Sequence, residues 1–215
     1  MKSLPLFIAV ALICFLTVLP VMAANHYNFV THYNSYEQHY IPDGSPLQPA
    51  EPQKTVIPRP YADWQLVQQY FPRYSDAVIR DIITGRTFNV RRTFGGFHAD
   101  VETLTKADTQ IMYEIWGGWS WDRRAVVVYI GDYAFAGSLA GMPHAGVDSA
   151  PLLAIVDNRS GGFGRGQNFD MIPGNGMDGH VCLHFAGSRI HGSGVINAAH
   201  QYRVREAAAH IQANY

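Results

Sequence analysis

The chain has 215 residues, 47% of them hydrophobic and 15% charged, with 16 basic side chains against 17 acidic ones. That apolar fraction excludes wholesale disorder, and the length suits one domain with appendages. The formal net charge of −1 removes any electrostatic case for nucleic acid or an anionic membrane surface as partner.

Residues 1–23 read as a signal peptide. Lys2 supplies the basic start, Leu4 to Val18 the apolar stretch, and Val21 and Ala23 the small-residue positions before a cut after Ala23. The competing reading is a retained N-terminal anchor, since the apolar run approaches spanning length. Cleavage leaves no membrane span and places the chain in the cell envelope or outside the cell. It also removes Cys14, leaving Cys182 as the single thiol. Cysteines in an oxidising compartment usually pair. One without a partner is a liability, half of an intermolecular bridge, or a group kept for its reactivity.

Residues 24–60 hold Pro42, Pro46, Pro49, Pro52, Pro58 and Pro60 and are expected to form an extended spacer, or an arm laid over the domain. Residues 61–215 are expected to form the catalytic domain. YADWQLVQQYF is a short helical or extended lead-in. AVIRDIITGRTFNVRR alternates around Thr84-Gly85 as a β-hairpin. Thr105 can cap a helix over KADTQIMYEIW that stops at Gly117-Gly118. RRAVVVYI is a β-branched strand turned at Gly131-Asp132 to pair with AFAGSLAGM. Residues 146–179 carry eight glycines and the apolar run PLLAIV, and read as a long Gly-rich loop with one extra strand. A helix over about 197–212 closes the chain. The expected fold class is β-rich, a mixed β-sandwich-like domain with a few helices.

The informative string is GHVCLHF, residues 179–185. As a strand it puts Val181, Leu183 and Phe185 on one face and His180, Cys182 and His184 on the other. An imidazole beside a thiol can take its proton and stabilise the thiolate, which lowers the cysteine pKa. Cys182 is therefore the candidate nucleophile. The bland reading is a core cysteine with surface histidines as neighbours.

These residues resemble the L,D-transpeptidases, which cross-link bacterial peptidoglycan. Met142-Pro143-His144-Ala145-Gly146 looks like that family's upstream histidine element. Gly179-His180-Val181-Cys182-Leu183-His184 looks like its cysteine element, matched at His180, Cys182 and Leu183. Gly179, Val181 and His184 depart from the pattern. The resemblance implies that Cys182 attacks a stem-peptide carbonyl to form a thioester, with His144 as base and His180 and His184 orienting the site. An acceptor amine or water would complete the reaction, and no cofactor is implied. Backbone N–H groups at Val181 and Cys182 are candidate oxyanion donors. His98, Asp100 and His191 are the candidate substrate-binding residues.

Two other readings stand beside this one. GGFHADVE places His98 and Asp100 at strand spacing, and with His180 and His184 they could hold zinc for a cell-wall peptidase or amidase. His98 and Asp100 could equally be a hydrogen-bonded pair near the helix start. The third reading is a non-catalytic wall-binding domain. There, Trp116, Trp119 and Trp121 would stack on sugars, though such residues also serve as core and turn anchors. Arg123 and Arg124 are expected to be solvated or to meet a substrate carboxylate, and His200 and His210 to lie on a solvated helix face.

Overall fold

The computed structural model describes residues 56–215; the signal peptide, Cys14 and most of the spacer lie outside the described residues. The alternation around Thr84-Gly85 produces strands β2 (Asp76–Asp81) and β3 (Thr87–Phe94), with Gly85 at φ 72° in the turn. A positive φ is cheap there because glycine has no Cβ. The lead-in is helix α1 (Trp64–Tyr70), capped by the Asp63 carboxylate accepting from the Leu66 N–H. Thr105 caps helix α2 (Lys106–Trp116), and Gly117 ends it in the left-handed region. Strands β5 (Ser120–Ile130) and β6 (Tyr133–Gly141) pair around Gly131-Asp132 as the β-branched pattern demands.

The remaining strands are β1 (Ile57–Arg59), β4 (Ala99–Thr103), β7 (His144–Ala145), β8 (Ile155–Arg159), β9 (Gly164–Gln167) and β10 (Gly179–His184). β1 pairs in parallel with β6, so the last spacer residues belong to the sheet and the folded part starts earlier than residue 61. The strand order β6-β5-β2-β3-β4-β10 closes on itself, because β10 pairs with β4 on one edge and with β6 on the other. The β-rich class holds, but the sandwich expectation gives way to a six-stranded barrel. Closure removes the two open edges that such a sheet would otherwise present.

Alternation on each strand divides the interior from the outside. Val126 and Val128 of β5 join Ile79, Phe88, Val90, Val101, Phe135, Leu139, Val181 and Leu183 in the larger core, which α1 and α2 complete with Trp64, Val67 and Met112. Ala125, Val127 and Tyr129 face the other way, against Val204, Ala207, Ala208 and Ile211 of helix α3 (Ala198–Asn214). Each fully buried Val, Leu, Ile or Phe contributes about 1.5–3 kcal/mol.

The Gly-rich segment is not one open loop. Only Ile155 and Val156 of PLLAIV enter a strand; β8 and β9 form a small hairpin beside the barrel. Its flanks are tied down by side chains. The Asn168 amide accepts from the Val147 N–H and donates to three carbonyls, those of Val147, Ala150 and Pro151. Glu102, fully buried on β4, accepts from the N–H groups of Met171 and Ile172. Asp170 accepts from the Gly179 N–H at 2.6 Å, which fixes the segment to the start of β10.

Candidate active site

The strand β10 alternates as its sequence requires. Val181, Leu183 and Phe185 are fully buried in the core, and His180, Cys182 and His184 lie on the opposite face. On β4, Ala99 and Val101 take the core side. Cys182 stands in register with Asp100, so the carboxylate and its neighbour His98 come to the thiol. On the other edge, β10 pairs with β7 at Gly179 and His180 and with β6 at Leu183 and His184. Val181 and Cys182 lie between those two pairings and keep their own partners on β4.

Two glycines bring His144 to Cys182 across 38 residues of sequence. A Cβ on Gly179, at φ 82°, would lie 2.2 Å from the His144 carbonyl oxygen, and one on Gly146 would lie 2.3 Å from the Gly179 Cα. Only bare backbone allows β7 this close to β10. Ala145 itself is left-handed, with φ 62°, a conformation that costs an L residue about 1–2 kcal/mol. The strand pairs Gly179↔Ala145 and His180↔His144 hold it there.

The result is an oriented pair. His144 Nδ1 lies 3.0 Å from the Met142 carbonyl, which can only accept, so Nδ1 carries the proton and Nε2 offers its lone pair. That Nε2 is 3.6 Å from Cys182 Sγ and accepts from the thiol. Trp121 and Phe163 flank the imidazole, with ring centroids 5.2 and 5.1 Å away, and remain 43% and 47% exposed. Trp121 is thus a rim residue rather than a core anchor. Trp119 is likewise partly open, packed edge-on against Tyr113. Trp116 is the anchor of the three, its Nε1 donating to the Asp122 carbonyl.

Burial sets the resting charge of the pair. It pushes the Cys182 thiol well above its ordinary range, and the Asp100 carboxylate adds to the effect. Burial, helped by neighbouring His180, pulls His144 down to about 4. The expected lowering of the cysteine pKa is therefore overturned: the resting pair is a neutral thiol and a neutral imidazole. Removing water from around both groups penalises the ion pair more than their contact favours it.

Asp100 is the hub on the other side of Cys182. Burial opposes its charge, yet a hydrogen bond from His191 and the adjacent His98 hold the carboxyl well below the usual range. His191 Nε2 donates to Oδ1 at 3.0 Å, and that contact raises the His191 pKa. His98 Nε2 stands 3.1 Å from the same oxygen but off the hydrogen-bonding direction, without a partner. His180 Nε2 is 3.8 Å from Oδ2, while its Nδ1 donates to the Phe169 carbonyl. Burial lowers the His180 pKa against the pull of Asp100. His98 and Asp100 stand side by side, but not as the hydrogen-bonded pair near the helix start that the sequence allowed; they lie beside the thiol.

His184 is placed differently from expectation. Its ring is sandwiched between His98 and His200, with centroids 4.2 and 3.7 Å away, and burial holds it neutral. His200 is not on a solvated face. It is 3% exposed, bonds Ser138 Oγ through Nδ1, and burial lowers it to about 3. Neither His180 nor His184 belongs to the group of potential metal ligands that the described residues bring together, which shares only His98 and Asp100 with the zinc set expected from the sequence. That group is His98, Asp100, Cys182 and His191, whose ligand atoms lie within 4.8 Å of one another. Arg124 is not solvated, since it grips the buried Asp81 through Nε and an Nη.

A groove of about 540 Å³ lies between Trp64, Phe97, Ala186, Arg189 and Ile196, but no candidate site residue lines it. No helix among the described residues is long and apolar enough to cross a membrane. Comparison with family models, curated proteins and solved structures gives no match to this chain. What the fold and the site define is a class: a closed β-barrel carrying, on its outer face, a thiol between an oriented histidine and a buried aspartate.

Proposed function

We propose that this chain is an exported cysteine acyltransferase or peptidase of L,D-transpeptidase type, acting on peptidoglycan stem peptides. The observation that carries this reading is the 3.6 Å contact between Cys182 Sγ and His144 Nε2, with His144 Nδ1 held on the Met142 carbonyl. A nucleophile, a base within reach of it, and a third group orienting the base make up the arrangement that covalent catalysis needs.

The neutral resting pair decides how the first step runs. As Sγ approaches the acyl carbonyl, the thiol proton passes to His144 Nε2, so proton transfer accompanies attack and no free thiolate precedes it. The S–C bond forms and the carbonyl oxygen takes up negative charge. Of the two N–H groups at Val181 and Cys182, which alternate in direction along the strand, the one turned away from β4 would receive it. Collapse expels the amine, which takes the proton from His144 and leaves a thioester on Cys182. An acceptor amine, or water, then adds, passes its proton to His144, and the thiolate leaves and is reprotonated. Asp100 bounds the pocket on the other side of Cys182, His180 packs edge-on against His144 with ring centroids 4.5 Å apart, and Trp121 and Phe163 offer an apolar rim for the peptide.

Intact-mass analysis after incubation with a carbapenem tests this. The expected result is one covalent adduct, absent in Cys182→Ala and slowed about 10²–10⁴-fold in His144→Gln. No adduct on the folded, reduced wild-type protein would overturn the proposal.

A further inference from the structure

One polar atom in the site lacks a use. His98 is 1% exposed. Its Nδ1 lies 2.7 Å from the Arg189 carbonyl, so in the neutral ring the proton is on Nδ1 and Nε2 is a bare lone pair. That lone pair has no hydrogen-bond partner and sits 3.1 Å from an oxygen of the buried Asp100 carboxylate. A buried imidazole nitrogen without a hydrogen-bond partner and the buried carboxylate beside it offer two lone-pair donors to one cation. A histidine whose Nδ1 is held by a carbonyl while Nε2 is left unpartnered is arranged as metal-binding histidines are.

We infer that His98 Nε2, Asp100 Oδ1, His191 Nε2 and Cys182 Sγ bind a divalent cation of zinc type, and that the bound ion takes Cys182 out of nucleophilic service. The four ligand atoms lie within 4.8 Å of one another, and the two imidazole nitrogens are 3.1 and 3.0 Å from Asp100 Oδ1. Ligand atoms around a tetrahedral ion with bonds of about 2.1 Å stand roughly 3.4 Å apart, so modest side-chain shifts complete the shell. A mixed imidazole, carboxylate and thiolate set favours zinc over magnesium or calcium. The charges balance: one carboxylate and one thiolate against a double cation. Loading releases the thiol proton and moves the His191 proton off Nε2. His191, 49% exposed, leaves a path for the ion from solvent.

This inference concerns the same thiol as the acyl-transfer reading but is tested without substrate. Reduced, chelator-treated protein is titrated with zinc and, in parallel, with cobalt(II), whose thiolate complexes absorb in the near ultraviolet. One equivalent of each is expected to bind, with the charge-transfer band absent in Cys182→Ser. Zinc should also slow iodoacetamide alkylation of Cys182 at least about tenfold, reversed by chelator, because only a free thiolate reacts. His98→Gln, checked for folding by circular dichroism, should weaken zinc binding at least about tenfold.

Failure of wild-type protein to bind stoichiometric zinc would overturn the inference. So would cobalt binding without a thiolate band, or alkylation unaffected by zinc. Carbapenem adduct formation in the presence of chelator reads the nucleophile separately. An adduct without metal binding removes only the cation site; metal binding without an adduct removes only the acyl-transfer reading.

Discussion

Gly179→Ala tests how the site is assembled. The new methyl would sit 2.2 Å from the His144 carbonyl oxygen and 2.7 Å from the Gly146 nitrogen. Ordinary contact begins near 3.4 Å, so β7 and β10 must part by about 1.2 Å along the clash. The left-handed backbone, φ 82°, adds about 1–2 kcal/mol. His144 Nε2 already lies 3.6 Å from Sγ, and displacement on that scale carries it out of hydrogen-bond reach, costing roughly 10² in rate. The control is Gly131→Ala in the β5–β6 turn, also at positive φ but with nothing within 4 Å of the added carbon. It should pay the conformational cost alone and keep its reactivity. The assays are thermal unfolding for both variants and the rate of carbapenem adduct formation, followed by mass. If Gly179→Ala reacts like Gly131→Ala, the close approach of the two strands is not what positions the base, and the reasoning fails.

Other outcomes follow from the same geometry. Asp81 is fully buried under Arg124; the cost of burying it is outweighed by hydrogen bonds from Arg124 and Thr84, which leave its pKa lowered. Its stabilisation is in place above the ordinary carboxylate range and is lost as pH falls through the lowered value. Asp81→Asn should cost about 3 kcal/mol and flatten the acid limb of a pH–stability curve. His200, held neutral with a pKa near 3 by burial, contributes stability that is complete above its ordinary value and declines as pH drops towards 3. His200→Gln, which keeps a partner for Ser138, should remove up to about 1.4 kcal/mol per pH unit of slope between about pH 6 and 4, measured by denaturant unfolding. Trp121→Ala should leave unfolding nearly unchanged but weaken capture of stem peptides, read as a raised KM with little change in kcat.

Local elements were legible because their signals are local. The Thr84-Gly85 turn, the Thr105 cap, the Gly117 stop and the β5–β6 pair were all readable from a few neighbouring residues. The two faces of β10 followed from a period of two, and so the thiol-bearing face was visible in advance. Barrel closure was not, because alternation shows that a strand has a core face without saying which distant strand it joins; β10 meets β6 across more than forty residues. His200 is a different kind of miss. It stands four residues before Val204 and seven before Ala207, on the helix stripe that packs inward, so spacing marked it for burial although its polarity suggested the surface. The ligand group holds Cys182 and His191 where the expected set held His180 and His184; Cys182 lies on the same face of β10, but His191 arrives by the turn after Phe185, whose direction no periodicity encodes.

The division of faces on β10 has an effect on how this molecule tolerates change. Val181, Leu183 and Phe185 fix the register, since sliding the strand by one residue would drive three polar side chains into the core and three apolar ones out. The candidate site residues occupy the alternate positions, which do not set that register. Cys182, which is only half-buried, can therefore be exchanged without moving the register of the strand. His184 is the exception on that face: wedged between two other imidazoles, it belongs to the scaffold as much as to the site.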